Sequence, residues 1–174
     1  MKRNYFILFF LYIVLSCCTT GRNVRGIAVS QEIIDGGDMK GINYCLLYGK
    51  ALDGDITSIK DYSTIDIFQD GFIYVHGVYL IRLIDRIGDN KFLKAIEGIE
   101  ESQRAMIGLY IEAGMDIYEW YPTGKGAKKY SSLDDYWDIH PIIWSFIYKG
   151  ESAKPTASWG RRNHGSGGRS AGQF

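Results

Sequence analysis

The stretch TIDIFQDGFIYVHGVYLIRLIDRIG, Thr64 to Gly88, decides how this chain folds. Phe68, Phe72, Val75, Tyr79, Leu80, Leu83, Ile84 and Ile87 recur at helical spacing and share one broad face. Ile73, Val78 and Ile81 fall elsewhere around the same helix, so it is apolar on nearly every side. A helix of that kind is buried by neighbours all round. Thr64 or Asp66 is its expected start and Gly88 its stop. The run from Gly71 to Ile81 is also β-branched and aromatic, as a strand would be, but its length favours helix. The expectation is a mainly α domain, a small bundle of αα-hairpins packed around this element.

Upstream, Asp38 is placed to cap a helix running to about Asp53, with Met39, Ile42, Cys45, Leu46, Gly49 and Leu52 at three- and four-residue spacing and Gly54 just past its end. Asp55 then caps a short helix through about Asp61, burying Ile56 and Ile59. Downstream, Asp89 caps a helix whose inward set is Phe92, Leu93 and Ile96. Ser102 opens another, with Ala105, Met106, Leu109, Tyr110 and Ala113, which Gly114 is expected to stop. Gly54-Asp55 and Gly88-Asp89 recur 34 residues apart, a period known from helical repeats. The signature Trp, Leu-Gly and Pro positions of the tetratricopeptide class are missing, so two αα-hairpins in one bundle are the simpler expectation.

Beyond Gly114 the composition changes. Pro122-Thr123-Gly124 signals a turn, and Lys125, Lys128 and Lys129 form a basic loop. Ser132 and Asp135 have capping-box spacing, and Pro141 suits the first position of a helix through Lys149. The run Ile142 to Tyr148 is equally compatible with a buried strand. Residues 151–174 are rich in Gly, Ser and Arg and are expected to be a disordered tail, because they carry too little apolar surface to offset their ordering entropy.

At the other end stands MKRNYFILFFLYIVLSCC, residues 1–18. A short positive head, an apolar run from Tyr5 to Leu15 and the small Ser16 match a secretory signal peptide. The run is shorter than the roughly 20 apolar residues a spanning helix needs. Val14-Leu15-Ser16-Cys17 resembles the lipobox of bacterial lipoproteins, in which a small residue precedes the cysteine that becomes the acylated N-terminus. The resemblance covers only this leader and implies a processing class, not an activity. It implies lipid attachment at Cys17, with Cys18 as the alternative that puts Leu15 three places before the acceptor. On that reading residues 1–17 are the signal segment, 18–30 a polar tether and 31–150 the helical domain. The protein is then held by acyl chains to a membrane of the bacterial cell envelope, its domain facing the periplasm or the outside.

Charge narrows the partners. All twenty acidic residues lie between Glu32 and Glu151, a span holding only twelve Lys and Arg, so the body carries a net charge near −8. Nucleic acid is excluded as the main partner, since phosphate binding needs a concentrated positive surface. The same acidity argues against the body lying flat on anionic lipid. Cys17, Cys18 and Cys45 offer no disulfide framework, and Cys45 is expected to fill a core position on a helix.

No motif for catalysis, a cofactor or a metal emerges. His76 falls mid-helix on an apolar face and reads as a core histidine. His140 follows Asp134, Asp135 and Asp138, but these do not share one helical face and read as acids favoured at a helix N-terminus. Asp53-Gly54-Asp55 lacks the later ligands of a calcium loop. Gly124-Lys125-Gly126 lacks the spacing of a phosphate loop. Separated acids such as Asp70, Asp85 and Glu112 are the material from which an envelope hydrolase would have to be built. The aromatic and acidic segment offers a candidate binding surface of Trp120, Tyr121, Tyr130, Asp134, Asp135, Tyr136, Trp137, Asp138 and His140. Such a surface suits a protein partner with basic residues, because Trp and Tyr dominate interface hot spots. The alternative is stacking on glycan rings.

Overall fold

The computed structural model describes residues 22–66, 71–121 and 130–149. The chain opens with an antiparallel hairpin, β1 (Arg22–Val24) and β2 (Ile27–Val29). Eight α-helices follow among the described residues: α1 (Gln31–Asp38), α2 (Tyr44–Leu52), α3 (Ile56–Ser63), α4 (Gly71–Ile87), α5 (Asp89–Ala95), α6 (Glu101–Ile117), α7 (Leu133–Ile139) and α8 (Pro141–Ile147), with a 3-10 turn at Tyr118–Trp120 after α6. The fold is mainly α, as the apolar spacing predicts.

The centre is α4. Every residue from Val75 to Ile84 is buried, so no face of these turns meets solvent. Its most extensive partner is α6, and the two backbones touch at Gly77 and Gly114. A Cβ at Gly77 would lie 1.9 Å from the Tyr110 carbonyl oxygen, and one at Gly114 would lie 2.3 Å from the Gly77 carbonyl carbon. Only glycine permits that approach. Gly114 is thus a contact residue inside α6, which runs on to Ile117, and the expected stop there is corrected. The start of α6 also differs: Glu100 caps it reciprocally with Gln103, leaving Ser102 in the first turn.

The expected helix from Asp38 to Asp53 is two helices. Asp38 ends α1, and a turn through Gly41 (φ +72°) leads to Asn43, whose side chain accepts from the Leu46 amide and caps α2. The break follows from glycine: Gly41 supplies a conformation that a continuing helix forbids. Gly54 (φ +86°) and the Asp55 cap, accepting from the Ser58 amide at 2.7 Å, follow the reading of the sequence. Ile59 is fully buried as expected, whereas Ile56 is exposed. Helix α3 extends to Ser63 with Thr64 as its C-cap, so α4 does not open at Thr64. Gly88 caps α5 in place of Asp89, whose carboxylate is engaged elsewhere. Ser132 caps α7 and Pro141 opens α8, which resolves residues 142–147 as helix.

Within the expected tether of residues 18–30, the described part from Arg22 belongs to the body: Val24 and Val29 are buried, and Arg25 (φ 53°) and Gly26 (φ 89°) make the hairpin turn. The Tyr79 hydroxyl on α4 accepts from the Ser30 amide at 2.8 Å and donates to the Ala28 carbonyl at 3.1 Å. The signal segment, Cys17, Cys18, Phe68, Asp70, the 122–129 loop and the C-terminal tail lie outside the described residues. No helix among the described residues is long and apolar enough to cross a membrane.

Candidate functional site

The side chains proposed as one surface divide between outside and core. Trp120 is 75% exposed, Asp134 and Asp138 are exposed, and Asp135 and Tyr121 are half-buried. Tyr130, Tyr136, Trp137 and His140 turn inward and are buried, which corrects their assignment to a surface. The physical reason is that α7 packs its aromatic face inward: Tyr136 meets the Tyr130 and His140 rings, and Trp137 meets Tyr148 beyond α8.

The inward set builds a polar cluster that the sequence did not suggest. His140, between α7 and α8, is only 2% exposed. Its Nδ1 lies 2.6 Å from Asp89 Oδ1, at the start of α5. Its Nε2 lies 2.9 Å from the Tyr130 hydroxyl and 3.4 Å from Asp85 Oδ1, near the end of α4. The Tyr130 hydroxyl itself donates to Asp85. Counting protons fixes the charge of the ring. Tyr130 has one hydrogen, given to Asp85, so its oxygen accepts from Nε2–H, while Nδ1–H faces a carboxylate that can only accept. With both acids ionised, both ring nitrogens carry hydrogen, the imidazolium form that two facing carboxylates favour. Burial is the largest single influence on its pKa and lowers it. The hydrogen bonds and charges of Asp85 and Asp89 together outweigh that and raise it above the ordinary value.

A second buried cluster surrounds His76 in the middle of α4. The hydroxyls of Tyr44 and Tyr62 lie 2.6 Å apart, and Tyr44 reaches His76 Nδ1 at 3.0 Å. Tyr48 stacks on Tyr62, and the Tyr110 ring meets the His76 ring edge-on. Burial alone depresses the His76 pKa to about 3, and burial is likewise the first cause pushing the Tyr44 and Tyr62 hydroxyls well above their usual range. These groups are neutral hydrogen-bonding members of the core, as expected of His76. Cys45 is also buried, in the helical core position expected of it.

Neither cluster is built for turnover. A reacting group must reach its substrate, and His76 and His140 are almost fully covered. The acids Asp85 and Glu112 do not form a carboxylate pair with each other: Asp85 is held by Tyr130 and His140, and Glu112 accepts from the Tyr148 hydroxyl. No group of three or more His, Cys, Asp or Glu among the described residues suits a metal ion.

What the sequence reading missed is that Asp85, named there as a separated acid, and Asp89, named as a helix cap, meet at His140. They stand four apart across the Gly88 break, a weak hint that both carboxylates lean the same way, but their partner lies 51 residues beyond Asp89. Comparisons with protein families, with curated proteins and with solved structures find no match for this chain.

Proposed function

We propose that the chain is a lipid-anchored protein of the bacterial envelope whose helical domain is non-catalytic and binds another protein, in an immunity-type or adaptor role. One observation carries the binding reading. Trp120 sits at the end of α6 with three-quarters of its surface in water, directly after the exposed Glu119. An indole so placed is the commonest anchor of a protein interface. The acidic span around it, near −8, fits a partner with a basic surface. The anchor reading is supported by the lipobox-like Val14-Leu15-Ser16-Cys17.

The test is photo-crosslinking in intact envelopes, comparing the native chain with Trp120→Ala. The expected result is one basic protein crosslinked to the native chain and at least about tenfold less with the variant, as befits a hot-spot residue. Equal crosslinking by both chains, or none by either, overturns the binding reading.

A further inference from the structure

We propose that the hairpin end of the domain is its membrane-facing surface, and that cations there bind the phosphates of anionic lipid headgroups. The proposal rests on the lipid-anchor reading and adds the face that the anchored domain turns to the bilayer. A groove between the hairpin and α2 is lined by Arg22, Arg25 and Lys50, with Asp53 on its rim. Arg25 grips Asp53 through two hydrogen bonds of 2.8 and 2.6 Å, and Arg86 also acts on that carboxylate. Lys91 reaches over the neighbouring Gly54. All five cations are exposed; Asp53 lines the same groove, Asp55 and Asp61 line a second groove with Lys50, and Asp38 acts on the Cys45 thiol in the first. The groove itself, with three cations to one lining carboxylate, is locally positive although the body as a whole is acidic.

Chain length turns that local charge towards the membrane. The hairpin starts at Arg22, so only residues 18–21 separate Cys17 from it. Five residue steps span at most about 18 Å, so the domain cannot stand clear of the surface that holds its acyl chains. Fields from exposed charges fade over about 8 Å at physiological salt, so the nearest end decides the interaction, not the net charge. That end carries the basic groove. The net charge near −8 argued against contact with anionic lipid, and the placement of Arg22, Arg25, Lys50, Arg86 and Lys91 reverses that inference locally.

The experiment uses full-length protein processed in cells and purified from membranes, then reconstituted into vesicles of phosphatidylcholine alone or of an even mixture with phosphatidylglycerol. Acetylation rates of individual lysines are read by peptide mass. Lys50 is expected to react several-fold more slowly on the anionic vesicles, to recover at high salt, and to lose its protection in the Arg22→Glu, Arg86→Glu variant. Lys149, in a separate groove between α6 and α8, is expected to react equally on both. Circular dichroism confirms that the variant, altered only at exposed positions, is folded. Equal Lys50 rates on both vesicle types in an acylated chain overturn the headgroup contact alone. Absence of acyl mass from Cys17 and Cys18 overturns the anchor reading and this proposal with it.

Discussion

Two buried histidines, His76 and His140, give the domain opposite responses to pH. The folded pKa of His76 is about 3, below its ordinary 6.5. As pH falls below 6.5 the unfolded chain takes up a proton that the folded chain refuses, so stability declines towards pH 3. The folded pKa of His140 is raised. Its contribution is fully present below 6.5 and is lost as pH rises through the folded value, where the folded chain finally gives up the proton that the unfolded chain has already lost. From these two groups, urea denaturation is expected to show maximal stability close to pH 6.5. His76→Phe flattens the acid limb and His140→Gln the alkaline one. Near neutral pH, His140→Gln costs about 3 kcal/mol, because it leaves Asp85 and Asp89 partly buried without their cation. An unchanged urea midpoint in that variant contradicts the charge assigned to the ring.

At the scale of elements, the α4–α6 crossing is held to backbone contact by two glycines. Gly77→Ala is expected to cost about 3 kcal/mol or more, since the new methyl meets the Tyr110 carbonyl and Gly114 backbone, neither of which can turn aside. Gly108→Ala is the control within α6. Its Cβ would meet the Ile147 side chain at 2.8 Å, and a side chain can rotate, so the loss measured by thermal unfolding should be smaller. The same glycines mark the limit of what the chain discloses. Local signals were legible: the apolar circumference of α4, Gly54 with the Asp55 cap, the Ser132 cap and Pro141 at the head of α8. Each depends on residues within one turn. A glycine used for close packing looks the same in sequence as a glycine that ends a helix, so Gly114 reads as a stop. Gly36 in α1 is another packing glycine, since a Cβ there would lie 2.8 Å from the Phe72 ring. The candidate site was less legible still. Tyr136 and Trp137 look like surface anchors until α7 is docked, and the His140 partners come from α4 and α5, far away along the chain.

At the scale of the whole molecule, the hairpin belongs to the helical body and, on the proposed reading, joins it to the anchor. Val24 and Val29 are covered by the helices, and Tyr79 ties the backbone after β2 to α4. A chain starting at Gln31 is expected to lose about 3 kcal/mol, the burial of two valines, and to unfold at lower urea. An unchanged midpoint would mean that residues 22–30 are a tether after all. On the proposed lipid-anchor reading, the folded hairpin keeps the domain close to its membrane, with Trp120 and an acidic body offered to the proposed partner. That account depends most on the acylated cysteine. The direct measurement is the intact mass of the full-length product after extraction from cell membranes. The predicted result is a chain beginning at Cys17 and carrying three acyl chains. A chain still beginning at Met1, or one cleaved without any acyl mass, contradicts the account.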